Sequence, residues 1–156
     1  MPVFTPNDVL AFLWRDISLL LASGSPTATV YLEPSERTEV DFESTSEIIL
    51  SMISESPMLP GSDCGYHGMW YGTKDIFVRA TILSRDRYTA QSVWARLEDF
   101  LHHGVFWYTL LTPSGEHPPL FYVTLDNVST YPTDSENYGL LVHFHILTRR
   151  TFPPPP

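Results

Sequence analysis

Histidine and cysteine are the residues of this chain whose types and spacing best suit chemistry. His143 and His145 lie two positions apart in an alternating segment, so both side chains can reach one metal ion from one face of a strand. Cys64 and His67 form a CxxH pair in a glycine-rich segment. A zinc site needs three or four protein ligands, and nothing in the sequence joins the two pairs. Surface histidines on a sheet are the simpler interpretation.

The sequence carries no recognised catalytic pattern. Cys64 and any of six histidines would make a nucleophile pair, but no known signature surrounds this cysteine. The acidic pair Glu98-Asp99, with the histidines that follow it, fits the polar edge of a helix. No GxGxxG, phosphate-loop lysine, GxSxG or HExxH pattern occurs. The sequence therefore predicts neither an enzyme nor a bound metal or cofactor.

The elements that must position these residues form a recognisable order. Apolar spacings of three and four predict amphipathic helices over residues 7–22 and 87–103. Alternating or β-branched runs predict strands over 29–32, 38–43, 48–53, 76–82, 105–111, 120–127 and 138–148. Because βαβ alternation is absent, the predicted class is α+β: a mostly antiparallel sheet with both amphipathic helices packed on one face, plus a long irregular loop.

That loop, residues 55–74, is rich in proline and glycine and yet carries large apolar side chains. We interpret it as an interaction arm, because aromatic residues and methionine are enriched at protein–protein contacts; a loop folded over its own core is the alternative. The arm residues are Met58, Leu59, Tyr66, Met69, Trp70 and Tyr71. Residues 1–150 are expected to form one domain, followed by a polyproline tail, 151–156.

The charge balance excludes some partners. Nine basic and eighteen acidic residues give a net charge of −9, which argues against a protein that coats nucleic acid or binds an anionic membrane. The chain has one cysteine and no membrane-length apolar run, so we expect a reducing cytoplasm and no internal disulfide. In the predicted strand 38–43, Glu39, Asp41 and Glu43 share one face. Such a row is a solvated face or a negatively charged contact surface.

The second half of the chain resembles the tail terminator proteins of long-tailed bacteriophages, also called tail completion or minor capsid proteins. The resemblance is one of pattern and order, and covers roughly residues 7–150. The matching segments are Asp75–Ile82, Tyr88-Thr89-Ala90 with Arg96-Leu97, Phe100-Leu101 and Gly104, and Tyr131-Pro132 with Asn137–Ile146. The loop at 56–73 and the polyproline tail have no counterpart in the family.

The resemblance implies a structural virion protein, assembled in the host cytoplasm. Such a protein forms a ring, usually a hexamer, at the head-proximal end of the tail tube. It ends tube polymerisation and joins the tail to the head–tail connector, with DNA passing through its lumen. The acidic row of Glu39, Asp41 and Glu43 would suit the wall of that lumen. The alternatives are a neck or head-completion ring of the same virion, and a small cytosolic enzyme or metal-binding domain.

Overall fold

A computed structural model describes residues 6–33, 41–56, 59–60, 70–102, 120–133 and 137–152. In this part of the chain two helices and six strands follow one another along the sequence. They are α1 (Pro6–Leu21), β1 (Ala28–Leu32), β2 (Ser46–Glu55), β3 (Leu59–Pro60), β4 (Trp70–Ser84), α2 (Arg87–His102), β5 (Leu120–Tyr131) and β6 (Tyr138–Phe152). The predicted α+β class is confirmed.

The sheet is mostly antiparallel and has its two longest strands at the centre. The strand order is β1-β2-β4-β6-β5, with the short β3 paired beside β4. The pairs β2–β4, β4–β6 and β5–β6 are antiparallel, whereas β1 and β2 run parallel. β4 and β6 pair in register from Trp70 opposite Phe152 to Ser84 opposite Tyr138, so this long pair forms the centre of the sheet.

Both helices begin and end within a residue of the predicted bounds. Proline fits the first turn of α1 because its missing N–H would have no helical partner. The chain leaves α1 through Gly24, whose φ of +83° lies in the left-handed region that glycine tolerates. At the start of α2, the Asp86 carboxylate accepts a hydrogen bond from the Thr89 backbone N–H at 2.7 Å, which caps the helix.

One hydrophobic core contains residues of both helices and of the central strands. The predicted stripe of α2 is confirmed at Ala90, Val93 and Leu97, and the predicted inward row of β6 is confirmed at Val142 and Phe144; all are essentially buried. The other members of this core include Leu13 and Ile17 from α1, Ile48 and Leu50 from β2, and Ile76, Val78, Ala80 and Ile82 from β4. Because side chains alternate along a strand, the remaining residues of these strands form a second face.

Arg96 ties the helices together. Its Nη1 donates to the carbonyl oxygen of Pro26 at 2.6 Å, and its Nη2 donates to that of Leu20 at 2.8 Å. Leu20 lies in the last turn of α1, which has no basic residue of its own. The guanidinium of α2 therefore satisfies a free helix-end carbonyl and places a positive charge at the negative end of the α1 dipole.

The predicted acidic strand is wrong over the residues that the structure describes. Asp41 and Glu43 lie in a turn that leads into β2, and residues 38–40, with Glu39, are outside the described part. The Asp41 carboxylate accepts a hydrogen bond from the Glu43 backbone N–H at 3.1 Å, and its carbonyl accepts from the Ser44 N–H at 3.1 Å. A side chain that bonds its own following backbone favours a turn over a ladder, a competition that alternation alone does not reveal.

The predicted loop 55–74 is also partly wrong. β2 extends to Glu55, β3 occupies Leu59–Pro60, and β4 already begins at Trp70. The local glycine signals are overridden here because β6 offers backbone partners along its whole length. The same pairing draws Thr151 and Phe152, predicted as part of the tail, into β6. The predicted strand 105–111 and residues 153–156 lie outside the described residues.

Candidate functional site

The second face of the sheet gathers polar and aromatic side chains from four strands. Register pairing places Ser51, Arg79, His143 and Asn127 in one row across β2, β4, β6 and β5. A neighbouring row holds Phe77 and His145. Residues directly opposite each other in a sheet have side chains on the same face, so both rows lie on the face away from the core. We call Phe77, Arg79, His143 and His145 the basic patch.

A β-bulge positions a carboxylate at this patch. The β5–β6 register shifts between Leu125 and Asn127, and Asp126 is the extra residue. Its carboxylate oxygens lie 2.9 and 3.0 Å from Nδ1 of His145. Because an ionised carboxylate only accepts hydrogen bonds, Nδ1 is the donor in this contact. Bulges commonly re-aim a side chain in this way.

An aromatic ring supports the same histidine. The rings of Phe77 and His145 have centroids 5.6 Å apart and planes inclined by 40°. The Phe77 side chain is 37% exposed, so one side of it contacts the imidazole and another faces solvent. The carboxylate of Asp126 and this ring together hold His145 in one orientation.

Arg79 is the most unusual member of the patch. Its Nε is buried and has no hydrogen-bond partner among the residues that the structure describes. A buried N–H donor without an acceptor costs free energy, on the order of 1–3 kcal/mol. Its row neighbour Ser51 does not serve it, because the Ser51 hydroxyl donates to the Glu33 carboxylate at 2.8 Å. Within the part of the chain that the structure describes, Arg79 Nε is therefore an unsatisfied donor in the interior of the protein, and not one that the surface offers.

Exposure changes across the second face. On β2, Glu47, Ile49 and Ser51 are buried, as is Thr81 of β4, which lies opposite Ile49. On the β6 and β5 side, His143 and His145 are half-buried, while Asn127 is exposed. In the neighbouring row Ser54 of β2 is exposed together with Phe77, so the accessible part of this face also reaches β2.

The metal hypothesis receives little support from this arrangement. His143 and His145 do lie on one face, as their spacing predicts, but Asp126 already binds Nδ1 of His145. No group of three or more histidine, cysteine, aspartate or glutamate side chains could hold a metal ion among the residues that the structure describes. Cys64 and His67 fall outside those residues.

The predicted acidic row gives a different kind of surface. Asp41 and Glu43 lie in the turn before β2, and we call them the acidic turn. Both residues are accessible, and the Glu43 side chain is 84% exposed with Arg85 Nη1 at 3.9 Å from its carboxylate. Surface pairs of this kind contribute little stability, so the Glu43 carboxylate remains available to a partner.

The predicted arm residues are distributed differently from a single loop. Leu59 lies in β3, and Trp70 and Tyr71 lie in β4, whereas Met58, Tyr66 and Met69 are outside the described residues. Beyond Ile76 and Ile146, the last core residues described on these strands, β4 and β6 continue together for residues 70–75 and 147–152. Over most of this length a third strand is present, because β3 pairs with Gly72 and Thr73 of β4 and β5 pairs with residues 147–149 of β6. Within the described part of the chain, only the last two pairs, Trp70 with Phe152 and Tyr71 with Thr151, are two-stranded, and we call them the ribbon.

Sequence reasoning misses two functional candidates. Alternation predicts a regular strand at Asp126, because one extra residue in a ladder leaves no composition signal. Arg79 carries a usable signal: it is a charged side chain at an outward position of an otherwise apolar central strand. Neither residue is predicted to join His143 and His145.

Comparison with known proteins adds no identification. No model of a known protein family matches the chain, and no curated protein matches it. Neither helix of the described residues is long and apolar enough to cross a membrane.

Proposed function

We propose that this chain is the ring-forming tail terminator of a long-tailed bacteriophage. In this role it binds the head-proximal end of the tail tube, stops tube polymerisation and joins the tail to the head–tail connector. The observation that carries the proposal is the arrangement of the segments that resemble the family. Most of them fall on β4, α2 and β6, where β4 and β6 pair throughout and α2 packs on the same core; Tyr131 ends β5, and Gly104 lies outside the described residues. The matching segments therefore form one contiguous unit.

The ribbon supports an assembly role. At its tip, Trp70 and Tyr71 pair with Phe152 and Thr151, and no third strand joins these four residues within the described part of the chain. A two-stranded end of a sheet that carries aromatic residues is suited to contact a neighbouring subunit, because aromatic residues dominate interface energetics. The ribbon takes the place of the predicted loop as the interaction arm.

The net charge of −9 fits the passage of DNA. A strongly acidic ring repels the phosphate backbone, so a genome can move through its lumen without being held. This argument concerns the charge of the whole chain. The strand on which Glu39, Asp41 and Glu43 were expected to line the lumen is absent at Asp41 and Glu43.

Two measurements test the proposal. Native mass spectrometry of the purified chain should give a closed oligomer, with six times the 17.8 kDa mass of one chain as the expected species. Electron microscopy of the chain mixed with polymerising tube protein from a long-tailed phage of the same host should show rings at one end of shortened tubes. A monomer at all concentrations, or tubes of unchanged length without terminal rings, contradicts the proposal. Rings that bind a purified connector but ignore tubes would indicate the neck protein instead.

The ribbon has its own variant. Trp70→Ala combined with Tyr71→Ala should prevent oligomer formation while far-UV circular dichroism stays unchanged. Tyr88→Ala is the matched control, since this aromatic side chain is 80% exposed on α2 and away from the ribbon. Normal oligomers from the double variant would show that the ribbon is not the interaction arm.

A further inference from the structure

We propose that an exposed apolar surface at one corner of the sheet receives the ribbon of a second copy of this chain. The surface consists of Met52, Ile53 and Phe77, and we call it the apolar corner. The inference rests on the proposed ring, and it names the surface that the interaction arm of each subunit would contact.

The apolar corner groups exposed apolar side chains from two neighbouring strands. Within the described part of the chain, three of the eight exposed large apolar residues lie here, and Ile53 is 51% exposed. The β2–β4 register pairs Met52 with Val78 and Ser54 with Phe77, and Ile53 is the extra residue between them. Contiguous exposed apolar side chains mark sites of protein contact.

The other exposed apolar residues are scattered over the described part of the chain. Trp14 and Leu19 lie five positions apart on α1, which separates them by about 140° around the helix axis. Tyr88 lies alone on α2. Val128 and Tyr131 lie three positions apart on β5, opposite Val142 and Gly139, so they are on different faces of the sheet.

The apolar corner lies where the outer edge of the sheet opens. β1 pairs only with Ser46–Leu50, so beyond Leu50 the outer side of β2 has no partner strand among the described residues. A partner that approaches this edge can contact side chains on both faces of the sheet. The bulge at Ile53 interrupts the regular ladder, which disfavours strand addition. The corner is therefore suited to receive side chains and not another strand.

The sequence around the ribbon indicates what that partner is. The ribbon places Trp70, Tyr71 and Phe152 at one end of β4 and β6. The three register pairs next to it contain three basic residues, Lys74, Arg149 and Arg150, and no acidic one. This end thus carries three of the nine basic residues of a chain whose net charge is −9. An aromatic end beside positive charge is complementary to an apolar surface with an acidic rim.

The apolar corner has an acidic rim. The Glu33 carboxylate accepts a hydrogen bond from the Ser51 hydroxyl at 2.8 Å, which holds this exposed acid beside Met52. Glu55, two residues beyond Ile53, is also exposed. Arg79 lies one register row away, but its Nε is in the interior of the protein. The charges at this edge therefore attract a basic segment and repel an acidic one.

The two surfaces cannot meet within one chain. Trp70 and Phe77 lie seven residues apart on β4, a separation of roughly 23 Å along the strand. The ribbon can therefore contact the apolar corner only of another copy. A contact between two different surfaces of identical chains is heterologous, so it repeats from copy to copy and closes into a ring when the rotation permits.

Substitutions at the corner test the receiving surface. Sedimentation velocity over a concentration series should show that Ile53→Asp weakens self-association by at least about 30-fold, the loss typical of a residue at the centre of an interface. Leu19→Asp is the matched control, because it makes the same change at an exposed apolar side chain of α1 and should have no effect. Glu33→Arg should weaken association by about fivefold or more, since it places a positive charge beside the basic end of the neighbour.

A mixing experiment tests the occupant. The Ile53→Asp chain keeps its ribbon, and the chain with Trp70→Ala and Tyr71→Ala keeps its apolar corner. Each variant alone should sediment as a monomer. An equimolar mixture should form a heterodimer of twice the 17.8 kDa mass of one chain and nothing larger, because the surfaces left over are the two defective ones.

The outcomes separate this contact from the proposed function. Native-like association of Ile53→Asp or of Glu33→Arg overturns the contact, as does a mixture that stays monomeric although both variants fold by circular dichroism. If Ile53→Asp does not fold, Met52→Ser combined with Ile53→Ser takes its place in both experiments. Heterodimers without capped tubes overturn the tail terminator and keep the contact, whereas capped tubes with a monomeric mixture do the reverse. A native chain that is monomeric alone, and whose tube binding Ile53→Asp removes, overturns the contact and makes the tube protein the occupant.

Discussion

The bond between Arg96 and the end of α1 gives a prediction whose size follows from the structure. Arg96→Ala removes two hydrogen bonds from a charged donor, to Pro26 and Leu20, and leaves both carbonyls without this partner. Hydrogen bonds to charged groups contribute about 1.5–3 kcal/mol each, and the lower end applies because Arg96 is only half-buried. We expect the free energy of unfolding to fall by about 3 kcal/mol.

Gly24 tests the same bond from the other side. A Cβ at this position would lie 2.9 Å from Nη2 of Arg96, closer than real Cβ atoms approach, and φ is +83°. Gly24→Ala therefore combines about 1–2 kcal/mol of backbone strain with displacement of the guanidinium. In a chain that already carries Arg96→Ala, only the backbone strain should remain. The two substitutions should thus be non-additive, with a coupling energy of about 1–2 kcal/mol.

Urea unfolding followed by far-UV circular dichroism measures all four members of this cycle. Arg87→Ala is the control, since it removes an exposed arginine from the same helix and should change the free energy of unfolding by less than about 0.5 kcal/mol. A loss below about 1 kcal/mol for Arg96→Ala, or full additivity with Gly24→Ala, would refute the role assigned to the guanidinium.

Three further predictions concern caps, buried hydroxyls and the sheet edge. The hydrogen bond from the Thr89 backbone N–H lowers the pKa of Asp86 below its ordinary value. The Asp86 carboxylate therefore stabilises α2 fully at neutral pH, and this contribution to the free energy of unfolding disappears as the pH falls through the lowered pKa. Thermal unfolding of Asp86→Ala should lack this pH dependence. The hydroxyls of Ser46 and Ser84 are buried and 2.8 Å apart, so Ser84→Ala should cost about 1–3 kcal/mol in urea unfolding, and adding Ser46→Ala should recover part of it. Trp14→Phe removes the bond to Val30 and should increase concentration-dependent aggregation, measured by light scattering; unchanged scattering would show that the indole does not protect β1.

Periodicity is sufficient to predict most of the fold. The α2 stripe and the alternation of β6 are strong patterns over at least ten residues, and both are confirmed; α2 ends one residue before the predicted bound, whereas β6 continues four residues beyond it. The errors occur where a local signal competes with a distant partner. Glycine and proline around Trp70 indicate a loop. The structure instead pairs this segment with β6, and the backbone hydrogen bonds to such a distant strand cannot be predicted from local sequence. Asp41 shows the opposite error, because its own turn bonds outweigh alternation.

Only part of the candidate site can be predicted from the sequence. The pairing of His143 with His145 on one face follows directly from their spacing. The residues around them cannot be predicted from spacing. A β-bulge places Asp126 beside His145, and the β4–β6 register places Arg79 opposite His143, and cross-strand pairing determines both positions. The prediction that both helices pack on one face of the sheet remains a prediction.

The proposed tail terminator would have to stop a polymer, and the edges of the described sheet suit that proposed role. An open strand edge adds further strands without limit, whereas a terminator needs contacts that close. Trp14 covers a backbone acceptor of β1 and the Asp126 bulge interrupts β5, so strand addition is disfavoured at both described edges. The proposed contact surface is directional, because the ribbon lies at one end of the sheet. Contacts of this kind fix a rotation between neighbours, and a fixed rotation is what allows an assembly to end in a ring.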